Sequence, residues 1–158
     1  MANPPASKRS VPTGFKLGDG YQTEISFSRN NAVKFWEKTI KAPGLDGGDG
    51  IDTTTQLNTK WRTKDTRHLQ TLTECTFTAG YDPDFYTDIL ALINSPGGVT
   101  IQFPDDSTLT FWGYLQKIEF AELKEGEFPE CTGTITPTNW DPANYVESAP
   151  VFVGATLT

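Results

Sequence analysis

The sequence predicts a mainly β domain with one flanking helix and one long loop. Three observations carry this. Several short segments alternate apolar and polar residues with period two, one segment alone switches to helical spacing, and residues 42–62 form a Gly- and Asp-rich stretch without either period. With 158 residues the chain suits a single domain, assigned to residues 15–158. Residues 1–14, rich in Pro, Ser and small side chains, read as an N-terminal arm that cannot fold by itself.

The first strand is expected over 21–28, where Tyr21, Thr23, Ile25 and Phe27 share one face and Gln22, Glu24, Ser26 and Ser28 the other. Asn30 and Asn31 tolerate a tight turn, and a second strand should run from Val33 to about Lys41, closed by Pro43. The loop over 42–62 exceeds the length usual for connections in compact domains, and it carries Leu57 and Trp61, which suit a docking surface better than solvent. A third strand is expected over 69–79 with Thr71, Thr73, Cys75, Phe77 and Ala79 on one face.

Next comes the helix, over 83–94. Asp82 is a good N-cap, Pro83 suits the first helical position, and Phe85, Ile89, Leu92 and Ile93 form one apolar stripe before Pro96-Gly97-Gly98. Strands over 99–103 and 108–115 flank a turn at Pro104-Asp105-Asp106-Ser107, and a further pair, 117–123 and 131–137, flanks the turn over 124–129. The apolar run Val151-Phe152-Val153 suits a last strand or a contact with another subunit.

Composition excludes several classes of function. The net charge of -7 argues against ordinary nucleic-acid binding, which draws its affinity from Lys and Arg on phosphates. Two cysteines, Cys75 and Cys131, are too few for a disulfide scaffold or a Cys-based zinc site, and their apolar neighbours predict buried thiols. No apolar run approaches the roughly 18 residues of a membrane helix. The sole histidine, His68, lies between Arg67 and Leu69, and no nucleophile elbow, zinc-protease motif or phosphate loop is present. The chain is therefore not expected to be an enzyme or to need a cofactor. A glycosidase-like carboxylate pair is not singled out by any pattern. Asp46, Asp49 and Asp52 alternate with glycines in the manner of a calcium loop, but the spaced Asp series and closing Glu of an EF-hand are missing. Trp36 and Trp112 on strands keep a carbohydrate-binding or adhesin-type sandwich as the alternative reading.

Order and spacing of several short motifs carry a resemblance. They are GLDGGDGIDTTT at 44–55, NTKWRT at 58–63, LTE at 72–74, YDP at 81–83 and ILALIN at 89–94. FPD at 103–105 follows, with TLTF at 108–111, GYL at 113–115 and PTN at 137–139. From about Leu17 to Val153 the chain resembles the major tail tube proteins of siphophages, long-tailed bacteriophages with non-contractile tails. Gly50 stands where many relatives have Pro, and the N-terminal arm has no counterpart.

The resemblance implies two packed antiparallel sheets, sandwich- or barrel-like, with one helix on the flank. It further implies homohexameric rings that stack into a tail tube for genome ejection, a fold shared with contractile-tail and type VI secretion tubes. Partners would then be the chain itself and other tail proteins (tape measure, terminator, distal tail), with DNA passing unbound and no membrane involved. The protein would reside in the virion tail after assembly in the host bacterial cytoplasm. A ring-forming tail terminator is the allied alternative. On this resemblance the long loop reaches the neighbouring ring, which makes Leu45, Asp46, Asp49, Ile51, Asp52, Leu57, Trp61 and Arg62 candidates for subunit contacts. Strands with one polar, acid-bearing face offer Glu24, Glu119 and Glu130 as lumen-facing candidates, where carboxylates would repel phosphates.

Overall fold

In the structure, a computed structural model, residues 23–30, 33 and 35–154 are described. The expected N-terminal arm, together with Tyr21, Gln22 and Asn31, lies outside these residues.

The strands follow in chain order. They are β1 (Glu24–Phe27), β2 (Trp36–Lys41), β3 (Leu45–Asp46), β4 (Ile51–Asp52), β5 (Lys64–Asp65), β6 (Thr71–Leu72) and β7 (Cys75–Gly80). After the helix α1 (Tyr86–Ala91) come β8 (Gly97–Gln102), β9 (Thr108–Phe120), β10 (Glu130–Pro137), β11 (Trp140–Asp141), β12 (Val146–Glu147) and β13 (Val151–Val153). Seven of them make one antiparallel sheet in the order β1-β8-β9-β10-β7-β2, with β13 added on β9. The mainly β antiparallel architecture with one helix thus holds. Its facing layers belong to a single continuous sheet.

That sheet curls. Ile25 and Phe27 of β1 share one apolar cluster with Val99, Ile101, Phe111, Leu115, Ile135, Cys75 and Phe77, strand by strand across the sheet. Its two end strands come close enough for the Ile25 N–H to donate to Glu37 Oε1 at 3.0 Å. Phe35 completes the seam, with ring centroids 5.9 Å from Phe27 and 4.8 Å from Phe77. Burying nine large side chains almost completely on the inner face is the main stabilising term.

The expected strands 108–115 and 117–123 are one strand, β9, ending at Phe120. Against β10 its register slips at Gln116, since Thr134 pairs with Lys117 but Ile135 with Leu115. The extra residue changes which parity faces the core, from Phe111 and Leu115 to Ile118. On its other side β9 pairs with β8, which leads into it through the 103–107 turn, where Asp106 takes the left-handed conformation at φ 64°.

Two further expectations change. The strand over 69–79 is really two pieces. Leu69, Thr71 and Thr73 are exposed, because β6 pairs with β3 and Thr73 Oγ1 accepts from the Gly44 N–H, and only Cys75, Phe77 and Ala79 face the core. The helix is shorter than 83–94, and Phe85 rather than Asp82 occupies its N-cap, without a side-chain bond. Asp82 instead accepts the Asp84 N–H at 3.0 Å and Trp36 Nε1 at 2.9 Å. The apolar stripe is as expected: Ile89 and Leu92 are buried, and Phe85 and Ile93 pack against the cluster. Both thiols are free and buried, and burial alone pushes Cys75 up to about 12.

Candidate functional site

The long loop is an arm. From Gly44 the chain runs out through β3 and β4 and returns through β5 and β6, with Leu45 opposite Leu72 and Ile51 opposite Asp65. The expected 42–62 loop is therefore the outgoing side and tip of a longer two-stranded excursion. From Gly44 to Thr71 every residue is exposed apart from a half-buried Asn58, so this segment rests on nothing within its own chain.

Local polar bonds hold the arm in shape. Asp46 Oδ1 accepts from the Gly48 N–H at 2.8 Å, and Gly48 sits at φ 75°, a conformation few other residues adopt without strain. Asp52 Oδ1 accepts from the Thr54 N–H at 2.9 Å, and Thr54 holds the Asp52 carboxyl below its ordinary value through hydroxyl and amide together. Asp49 contributes its carbonyl to Arg67 Nε at 2.7 Å. At the tip, Asn58 ties the turn by accepting from the Thr55 N–H at 2.8 Å and donating to the Trp61 carbonyl at 2.9 Å. Leu57 is 89% and Trp61 81% exposed. Arg62 lies 3.9 Å from Asp52, a long contact between exposed groups.

These aspartates are thus engaged in turns, spread along a ladder. Among the described residues no group of three His, Cys, Asp or Glu is placed to hold a metal ion. His68 is exposed on the returning side of the arm.

The other candidates, Glu24, Glu119 and Glu130, do share one face, the outward face of the sheet. Each neighbours a core-facing residue (Ile25, Ile118, Cys131) and therefore points the other way. They do not cluster. Glu24 is level with Thr108 through Gln102, eleven residues along β9 from Glu119, on the order of 35 Å of strand. Lysines accompany two of them, Lys117 at 3.7 Å from Glu119 and Lys38 hydrogen-bonded to Glu130.

Hydroxyls dominate that face. Ser26, Thr100 and Thr110 lie in register across β1, β8 and β9, and Thr39, Thr78 and Thr132 across β2, β7 and β10. Some bond to one another, as in Thr39 to Thr78 at 2.5 Å and Thr100 to Thr110 at 3.2 Å, and the Thr136 hydroxyl donates to Gln116 Oε1 at 2.6 Å.

A second exposed surface escaped the sequence reading. Tyr81 meets Tyr86 and Phe120 edge-on and those two rings are tilted against each other, with centroids 5.3–5.4 Å apart. Trp36, Leu123 and Phe128 stand exposed at the same end of the sheet. These residues come from β2, the β7–α1 junction and the β9–β10 hairpin, so no local pattern unites them.

No family model matches the sequence, and no curated protein does. Solved structures do match. A chain of the anti-feeding prophage (AFP) baseplate, from a cryo-EM structure symmetrised six-fold, aligns with a TM-score of 0.54 at 10% identity, covering 85% of this chain and 93% of that one. A chain from the tail of an empty GTA particle, refined helically with C6 symmetry, aligns with a TM-score of 0.58 at 9% identity, covering 87% of this chain and 99% of that one. Nearly the whole of each of those chains is matched, and what they share with this protein is the fold.

Proposed function

We propose that the protein is a non-catalytic structural subunit of a phage-type tail, assembling with copies of itself into hexameric rings that stack as a tube for the passing genome. The observation that carries this reading is the arm. A soluble monomer rarely exposes Leu45, Ile51, Leu57, Trp61 and Leu69 on one ordered excursion, and a contact with another subunit would cover them. Fold likeness to chains of a six-fold baseplate and a C6 tail supports the same conclusion. On this reading Leu45, Asp46, Asp49, Ile51, Asp52, Leu57, Trp61 and Arg62 serve subunit contacts, other tail proteins meet the ends of the tube, and the virion is where the protein resides.

The outward sheet face is the wall of the lumen in this proposal. Its hydroxyls bond pairwise, and Glu119 and Glu130 offset Lys117 and Lys38, two of the cations on that face that would otherwise hold phosphates. Glutamates there act less by long-range repulsion than by removing places to stick. Negative-stain electron microscopy of the purified protein at rising concentration tests the proposal. Hollow tubes or stacked rings are expected, and monomers at every concentration and salt would sink it.

A further inference from the structure

The arm tip and the aromatic patch lie at opposite ends of the molecule and carry opposite charge. In the β2–β7 ladder Lys41 pairs with Thr76 where the arm leaves and returns, while Trp36 pairs with Gly80 at the other end. Register through β10 puts Glu130 level with Gly80, and Cys131 level with Phe120, so the β9–β10 hairpin tip joins Trp36 and Tyr81 there. The Tyr81 N–H donates to the Pro129 carbonyl at 3.0 Å and fixes that junction.

Charge follows the same axis. Residues 53–63 at the arm tip contain Lys60 and Arg62 and no acid, in a chain of net charge -7. Around the aromatic patch, residues 81–88 contain Asp82, Asp84 and Asp88 and no base, and residues 121–129 contain Glu122, Glu125 and Glu127 against Lys124. Each pole also exposes apolar side chains, Leu57 and Trp61 at one and Trp36 and Phe128 at the other. The tip is already ordered by its Asn58 bonds, so little freedom remains to be lost on docking.

We infer that the basic arm tip of one copy docks on the acidic aromatic end of a second copy, an inference that rests on the self-assembly proposed above. Tip and receiving surface are different patches at opposite ends of the molecule, so the contact is heterologous and, stacked end on end, repeats head to tail as an open filament. Fully extended, the chain from Gly44 to Asn58 would reach on the order of 45 Å, and the turns at Asp46 and Asp52 shorten this while still carrying the tip away from its own body. Charge pairing selects the orientation, and the buried aromatics supply most of the affinity.

The test uses two exposed double variants of the full chain, K60E/R62E and E125K/E127K, followed by sedimentation velocity and electron microscopy. Each variant alone is expected to need at least roughly tenfold more protein to assemble than wild type. Mixed one to one they should assemble again, because each reversed tip then meets a reversed receiver. If wild type assembles and either variant assembles equally well, the docking inference is overturned while self-assembly stands. Loss in both variants without recovery in the mixture also overturns it, because the receiving surface then lies elsewhere. If wild type itself stays monomeric throughout, self-assembly and docking fail together.

Discussion

Phe77 lies directly across from Gly133, its partner in the β7–β10 ladder, and a Cβ on Gly133 would stand 2.3 Å from Cζ and 2.5 Å from Cε1 of that ring. Phe77 is 1% exposed and also packs on Phe35, so the ring has nowhere to retreat. Gly133→Ala should therefore destabilise the protein by about 1–3 kcal/mol, the usual range for overpacking. Urea unfolding checks this, and adding Phe77→Leu should remove part of the Gly133→Ala penalty while costing stability by itself. An unchanged midpoint in Gly133→Ala would refute the packing account.

The thiols give a second expectation. With Cys75 pushed up to about 12 by burial, on the order of one molecule in ten thousand carries its thiolate at pH 8. Cys131 is also raised by burial. Ellman's reagent should count no reactive thiol in the native protein and two in guanidinium. Fast labelling of one thiol under native conditions would mean that the β7–β10 region opens locally.

Acid should weaken the β8–β9 turn. Ser107 donates its hydroxyl at 2.5 Å and its amide at 3.0 Å to Asp105 Oδ1, which holds this carboxyl below its ordinary value, the hydroxyl first. A carboxyl lowered on folding stabilises the native state above its unfolded value of about 3.9 and loses that contribution as pH falls through the folded value. Stability should drop as pH is taken from about 5 toward 3. Ser107→Ala should flatten that slope, which thermal melts across the range would show. Equal slopes in the two proteins would remove Asp105 from the explanation.

If the outward face lines a lumen, its cations matter more than its acids. Glu119→Gln with Glu130→Gln leaves Lys117 and Lys38 without their carboxylate partners. Assembly should survive, since Glu119 and Glu130 point to the outward face and lie outside the acidic segments 81–88 and 121–129 that receive the arm tip. Tubes of the double variant should retain added DNA at low salt and release it as salt rises, whereas wild-type tubes should not retain it. Cosedimentation of labelled DNA reads the difference, and equal retention would show that this face does not meet DNA.

Period-two patterns revealed the core-facing residues of β1, β7 and β10, and period 3.6 revealed α1, because both depend on near neighbours. Signals that depend on distant partners were hidden. The slip at Gln116 moves the apolar parity of β9 from odd to even numbers, which reads as a break between two strands. Asp82 has the chemistry of an N-cap, but Trp36, 46 residues away, takes one of its oxygens. Leu45 faces Leu72 across 26 intervening positions, so a returning ladder looked like a loop and a third strand. The Glu24, Glu119 and Glu130 face was legible by parity. Lys117 shares that parity with Glu119, whereas Lys38 meets Glu130 only across β7, which lies between β2 and β10.

The separation of charge between the two ends has a consequence beyond any single contact. The arm over 44–72 holds four acids and four bases, so the excess negative charge resides in the body, including the acidic end opposite the cationic tip. Such a molecule is a permanent electric dipole. Two copies approaching in solution feel a torque that turns them parallel and in line before any side chains touch, and added salt shortens the range of that torque. Polarity of a growing filament would then be set during diffusion, by the monomer's own field.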